Sequence, residues 1–326
     1  MNYLTTEMDP TLKTILKKIK KAKRIVIARH IGPDPDALGS QFGLRALIKA
    51  NYPEKEVYAI GAPSYKLKFM GTLDKMTEDL YIDALGIILD TPDIKRIDGI
   101  ELSKFKDVVK IDHHPYVDTF GETEWIEDSA SSVSQMIMEL AIKAKWQIDL
   151  PIAKILYIGL IADTNRFMYS STTLKTFQIL AKLLEQTNLD VSTCYDQLYM
   201  RPLNEFRFKG FLEQTLKLTE NGFGYIIVNN DTLVDYGVDT ASAGNMINDF
   251  NFVEGMYAWA TIIEDVKNNI VRVSIRSRGP IVNEVAASFG GGGHEMASGV
   301  RLPNFELVDQ LIADLDEVCK QYKQEL

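Results

Sequence analysis

Between Arg24 and about residue 165, short apolar runs rich in β-branched residues alternate with helically spaced ones. Ile25 to Ala28, Val57 to Ile60, Gly86 to Leu89 and Val108 to Ile111 are near-continuous in apolar character, the pattern of parallel strands buried on both faces. Between them Leu44, Leu47 and Ile48 recur at i, i+3, i+4, and Val133, Met136, Ile137, Leu140 and Ala141 extend that spacing to i+8, which predicts crossover helices. Asp128 or Ser129 is placed to cap the second of these. Pro151 suits the first turn of the next, the almost wholly apolar stretch from Ile152 to Ala162. Upstream, Leu12, Ile15, Leu16 and Ile19 stand between lysines and predict an amphipathic surface helix; downstream, a further helix is expected from about Leu174 to Gln186.

From Asn188 to Arg207 the pattern turns irregular and polar around Pro202, and an interdomain connector is expected there. The last third predicts strands at Tyr225 to Val228, Tyr257 to Ile263 and Ile270 to Ser277, the last two as an antiparallel hairpin. A closing helix puts Val308, Leu311, Ile312, Leu315 and Cys319 on one stripe. The expected fold is therefore α/β: a doubly wound parallel sheet over 1–187, a connector over 188–212, and a smaller mixed-sheet α/β domain over 213–326, with the active site in the cleft between domains.

Composition narrows the function. The chain has 326 residues, enough for two cores, and a net charge of −9 from 36 basic and 45 acidic side chains. That balance excludes a protein that coats long nucleic acid through a basic surface, and leaves a short anionic substrate open. Cys194 and Cys319 are far apart and fit neither a disulfide framework nor a thiolate zinc site, and no long uncharged apolar stretch suggests a membrane span or secretory leader. A cytoplasmic protein is expected.

The candidate chemistry lies at strand ends. His30, Asp34 and Asp36 follow the first strand within Arg29-His30-Ile31-Gly32-Pro33-Asp34-Pro35-Asp36, and the carboxyl ends of parallel strands form the ligand crevice of such folds. Asp90 ends the third predicted strand, Asp112-His113-His114 ends the fourth, and Asp163 ends the apolar helix just before Arg166. Carboxylates crowded at one sheet edge repel unless cations neutralise them. Two divalent ions held by Asp34, Asp36, Asp90 and Asp163 with neutral His30 and His113 would balance charge, activate water and favour metal-assisted phosphoester hydrolysis. The oxygen-rich donor set favours Mn²⁺, with Mg²⁺, Co²⁺ or Fe²⁺ as alternatives, over tetrahedral zinc. In the last third, Gly290 to Gly293 precede His294, and Arg276-Ser277 stand upstream. These residues suit phosphate binding, whereas no lysine follows the glycines as a P-loop requires.

At these positions the chain resembles the DHH/DHHA1 phosphoesterase superfamily, named for the triplet seen here as Asp112, His113 and His114. The His30 to Ser40 segment, Asp90, the triplet, Asp163 and the glycine run before His294 occur in the family's order, with one glycine more than is usual. The resemblance implies that His30 and Asp34 hold one ion, that Asp36, His113 and Asp163 hold the other, and that Asp90 bridges them. It implies that His114 faces the phosphate with Asp112 behind it. Arg276, Ser277, Gly291, Gly292, Gly293 and His294 would then grip the substrate, and Arg166 is a further substrate contact. The implied reaction is hydrolysis of very short single-stranded RNA oligonucleotides to nucleoside 5′-monophosphates, together with removal of the 3′-phosphate from 3′-phosphoadenosine 5′-phosphate (pAp). A homodimer is also implied. Competing readings are a phosphodiesterase of linear or cyclic dinucleotides, a pyrophosphatase or exopolyphosphatase, and a non-catalytic nucleotide sensor. The absence of a sensor domain, the glycine-histidine ending and the presence of every ligand type weigh against them in turn.

Overall fold

The described chain, residues 7–326 of a computed structural model, opens on helix α1 (Pro10–Lys21), where Asp9 accepts a hydrogen bond from the Thr11 amide and Leu12, Ile15 and Ile19 face inward. The first compact unit ends at Met200. Its sheet is all parallel in the order β2-β1-β3-β4-β5, built from β1 (Arg24–Ala28), β2 (Glu56–Ala59), β3 (Ala84–Leu89), β4 (Asp107–Asp112) and β5 (Thr123–Ile126). Both faces are buried: Ile25 and Ile27 join one apolar cluster while Val26 and Ala28 join another.

Helices α2 (Pro35–Asn51), α3 (Val133–Lys143), α4 (Leu150–Asp163) and α5 (Leu174–Thr187) contribute to the first cluster. The second is closed by Leu80, Tyr81 and Phe105, which lie on or beside short 3₁₀ turns rather than long helices. Gly39, Gly43 and Gly159 let α2 and α4 approach closely. A Cβ on Gly43 would collide with Leu156, and one on Gly39 would lie 3.1 Å from the Gly159 Cα. Two local expectations change. Ser132, whose side chain accepts from the Gln135 amide, caps α3 in place of Asp128 or Ser129, and Leu150 precedes Pro151 in α4 behind the Asp149 cap.

The stretch 188–212 is largely helical rather than irregular. Helix α6 (Ser192–Tyr199) anchors Cys194 in the first core, and α7 (Leu203–Thr215) buries Phe208 and Leu212 in the second unit, Arg201–Leu326. That unit holds β6 (Lys217–Leu218), β7 (Phe223–Val228), α8 (Asn230–Tyr236), α9 (Thr240–Asn245), β8 (Ala258–Asp265), β9 (Ile270–Ser277), α10 (Asn283–Ser288), β10 (Gly292–His294), β11 (Ala297–Leu302) and α11 (Val308–Glu325). Its sheet runs β10-β11-β9-β8-β7-β6, with only β7 and β8 parallel. The expected β8–β9 hairpin and the stripe on α11 are present.

Candidate metal centre

The chain leaves β1 toward β2 on one side and returns to β3 on the other, so the crevice of the parallel sheet opens between the carboxyl ends of β1 and β3. His30 follows β1 and Asp90 follows β3. Asp90 sits in left-handed backbone at φ 52°, a conformation aspartate tolerates better than most residues, and this turns its carboxylate along the sheet edge. Its Oδ2 lies 3.4 Å from His30 Nε2, and its Oδ1 lies 3.6 Å from His113 Nε2. Asp34 Oδ2 is 3.5 Å from His30 Nε2, and Asp163 Oδ2 is 3.4 Å from His113 Nε2.

These separations are too long for good hydrogen bonds. They match neighbouring donors around one ion bound at about 2.0–2.2 Å. Three groups of donor atoms gather this way: His30, Asp34 and Asp90; Asp36, His113 and Asp163; and Asp90, His113 and His114.

The surrounding hydrogen bonds aim the donors. His30 Nδ1 donates to the Ile31 carbonyl and His113 Nδ1 to the Ala130 carbonyl, which leaves each Nε2 lone pair for the crevice. Asp34 caps α2 through the Ala37 amide at 2.9 Å. Asp36 accepts from the amides of Val133 and Ser134 at the start of α3. His114 donates through Nδ1 to Asp112 Oδ1 at 2.8 Å.

Two buried carboxylate oxygens, Asp90 Oδ1 and Asp112 Oδ2, have no hydrogen-bond partner among the described residues. For Asp90, lodged between two histidines, such an orphan is what a cation-bridging oxygen looks like, and the donor set fits divalent ions. For Asp112, the Lys110 ammonium stands 3.7 Å away.

The proton affinities agree with a cation site. Burial alone would push the His30 imidazole down, yet attraction to the Asp34 and Asp90 carboxylates outweighs it and holds the group up at about 10. His113 is likewise held up, at about 9, because Asp163, Asp90 and Asp36 outweigh its burial. Burial, reinforced by Asp90, pushes Asp36 up to about 7; burial, reinforced by Asp36, pushes Asp163 well above the usual carboxylate range. Negative charge is in excess here until something positive arrives.

The remaining candidates stand elsewhere. Arg166 is exposed in a run of three left-handed residues, Asn165 to Phe167, with its guanidinium 5.1 Å from the Tyr199 ring centroid. In the second unit Arg276 on β9 donates through Nε to Asn248 Oδ1. Ser277 spends its hydroxyl on its own turn, donating to the Pro280 carbonyl at 2.5 Å. The glycine run is not wholly a loop: Gly292, Gly293 and His294 form β10 and pair with Gly299, Ser298 and Ala297 of β11. Since Ala297 also pairs with Arg276, His294 and Arg276 occupy one rung of the sheet. Gly291 is required there, because a Cβ would strike the Gly299 carbonyl.

Comparison with known proteins places both units. Residues 24–160 match the DHH family, N-terminal domain, and residues 224–321 match the DHHA1 domain. A Bacillus subtilis protein, bifunctional oligoribonuclease and PAP phosphatase NrnA, is 36% identical over 95% of this chain and 99% of its own. The chain belongs to the DHH family. Among further relatives, a probable bifunctional oligoribonuclease and PAP phosphatase NrnA of Streptococcus mutans is 32% identical over 94% of this chain and 99% of its own. An exopolyphosphatase-related protein from Bacteroides fragilis shares the fold at a TM-score of 0.86, with 24% identity over 95% and 97% of the two chains. Both activities named for the B. subtilis DHH protein are phosphoester hydrolysis.

Two residues that support the site in this DHH chain, Lys110 and Gly159, are not among the candidates the sequence offers. Lys110 is fully buried beneath Asp112, donating to the Pro92 and Asp118 carbonyls, and a lysine inside an apolar strand was the available signal. Gly159 lies against Ser134 and Asp36, and nothing in the sequence marks that approach.

Proposed function

We propose that this protein is a divalent-metal-dependent phosphoesterase that hydrolyses very short RNA oligonucleotides to nucleoside 5′-monophosphates and removes the 3′-phosphate of pAp. The observation that carries the reading is Asp90, which lies between His30 and His113 and so links two donor groups at one sheet edge. The substrates are those named for the relatives that this chain matches along nearly its whole length. His30, Asp34 and Asp90 would hold one ion, and Asp36, His113 and Asp163, with Asp90, would hold the other; Mn²⁺ suits this mixture of carboxylate and imidazole. Divalent ions bound there supply Lewis acidity that lowers the pKa of water and offsets charge developing on phosphoryl oxygens.

The protein's own groups do the rest. Asp112 holds His114 through Nδ1, so that Nε2 serves a phosphoryl oxygen. Arg276 and His294, on one rung of the second sheet, take a substrate phosphate, with Gly291 to Gly293 keeping side chains out of its way. Ser277 and Arg166 are placed as further substrate contacts. A cytoplasmic location is supported by two free cysteines, both buried, and among the described residues no helix is long and apolar enough to cross a membrane. The homodimer implied by the family resemblance is checked by light scattering.

The test is product release from a 5′-labelled RNA pentamer, a 24-nucleotide RNA, pAp, a cyclic dinucleotide and pyrophosphate, with Mn²⁺ and with EDTA. Mononucleotides from the pentamer and AMP from pAp, both lost in EDTA, are expected. Activity confined to pyrophosphate or the cyclic dinucleotide overturns the substrate assignment.

A further inference from the structure

Where β9 and β11 pair, the face of the second unit's sheet turned away from the α11 core carries two arginines, Arg272 and Arg301, that the proposed reaction does not use. Arg272 of β9 stands directly opposite Arg301 of β11, Ser274 opposite Gly299, and Arg276 opposite Ala297. The alternating partners Val271, Val273, Ile275, Val300 and Leu302 point into an apolar core, so the two-residue period of a strand puts Arg272, Ser274, Arg276, Gly299 and Arg301 on the other face. Like charges directly opposite on an antiparallel pair repel. Arg272 is relieved by Asp265, whose Oδ2 accepts from its Nε at 2.5 Å, an arrangement that leaves its Nη groups over. Arg301 is exposed and makes no ion pair or side-chain hydrogen bond among the described residues.

A chain with a net charge of −9 thus keeps an uncompensated arginine facing another arginine. Beside them lies a cavity of about 390 Å³, lined by Arg272, Ser274, Gly291, Gly299 and Arg301 among others. Its floor is low because glycine occupies 291 and 299. Along β9, Arg272 is four residues from Arg276, about 13 Å at the rise of a strand. That distance separates phosphates roughly two nucleotides apart on an extended single strand. The two phosphates of pAp are borne on one nucleoside and lie closer together than that.

We propose that Arg272 and Arg301 form a second phosphate subsite, which takes a backbone phosphate of an oligonucleotide held at its other phosphate by Arg276 and His294. The inference rests on the oligonucleotide reading above and adds to it a reason for length preference: occupants of both positions bind more tightly than those of one.

The test compares Arg301→Gln with the unaltered full-length protein. Arg272 is left in place because its bond to Asp265 ties the β8–β9 hairpin. The substitution raises KM for the RNA pentamer about 5- to 10-fold at unchanged kcat and leaves KM for pAp unaltered, as loss of one phosphate contact distant from the reacting bond predicts. In EDTA, where nothing is turned over, fluorescence anisotropy of the labelled pentamer against salt loses about 0.7 from its log–log slope. Arg301→Lys retains the slope. Equal slopes and KM values for Arg301→Gln and the unaltered protein overturn the subsite, as does an equal rise in KM for pAp. A protein that fails to cleave the pentamer overturns the functional reading instead, and the anisotropy comparison still decides the subsite.

Discussion

Asp36 Oδ2 accepts a hydrogen bond from the Val133 amide at 2.7 Å, tying the first turn of α2 to the first turn of α3 across 97 residues of chain. Its Oδ1 does the same for Ser134. A carboxylate that caps a remote helix while belonging to a donor group has two separable duties. Asp36→Ala therefore loses about 2–3 kcal/mol of stability as well as metal. Asp163→Ala removes a donor that caps no helix, and because burial, reinforced by Asp36, disfavours the Asp163 carboxylate, its loss spares the metal-free fold that cost. The expected outcome for Asp163→Ala is turnover reduced at least about 100-fold with an EDTA-treated melting temperature no lower than that of the unaltered protein. Calorimetry and a rate assay on both variants check the contrast.

The proton affinities predict a pH dependence of one sign. Imidazoles held up at about 9 and 10 stabilise the metal-free fold below their unfolded value of about 6.5, and that contribution fades as pH rises through 9 and 10. Asp36, pushed up to about 7, disfavours folding as pH rises from about 4 to 7. Both trends weaken the metal-free first unit with rising pH. Ion binding requires deprotonated imidazole and so tightens over the same range. The gap in melting temperature between Mn²⁺-loaded and EDTA-treated protein should widen from pH 6 to pH 9. Titration calorimetry in buffers of different ionisation enthalpy should report protons released at pH 7.5. A pH-independent gap would contradict the assignment.

Asp112→Asn tests the support of His114. An amide cannot anchor the Nδ1 proton as a carboxylate does, so Nε2 loses its fixed role. The rate should fall about 10- to 100-fold. Metal content by atomic emission should be retained, since His30, His113 and four other carboxylates remain.

Gly159→Ala tests the packing beneath the site. The added Cβ would collide with Ser134 Oγ and lie 3.0 Å from Asp36 Oδ1. Overpacking of this kind costs about 1–3 kcal/mol. Metal retention after gel filtration should fall with it, whereas Gly210→Ala, where a Cβ meets nothing within 4 Å, should change neither.

What could be read from the chain follows from how strongly each element is patterned. Strands β1, β3 and β4 are buried on both faces, so their apolar runs stand out whatever lies around them, and edge strand β2 still shows through the buried Val57 and Ala59. Strand β5 escaped notice because it is an edge strand in which only Trp125 is buried, and four residues with one buried anchor carry no period. Strand β10 was hidden differently, since two of its three residues, Gly292 and Gly293, continue a glycine run that carries no strand pattern, and its pairing depends wholly on β11. The α3 cap moved to Ser132 because Asp128 and Ser129 lie in a preceding turn, which a local rule cannot distinguish from the helix start. The donor residues were legible as types at strand ends, and the family resemblance supplied their grouping. Lys110 beneath Asp112 and Gly159 beside Asp36 are relations between distant segments, and only the fold displays them.

The donor groups are also ordered in time. During synthesis from the amino end, the set of His30, Asp34 and Asp90 is complete once the chain has passed β3, while the set of Asp36, His113 and Asp163 waits for the end of α4, 73 residues later. If these groups hold cations, a nascent chain would have its first set of ligands before its second exists. A later ion would report that α3 and α4 have come to rest against α2 and β4 against β3.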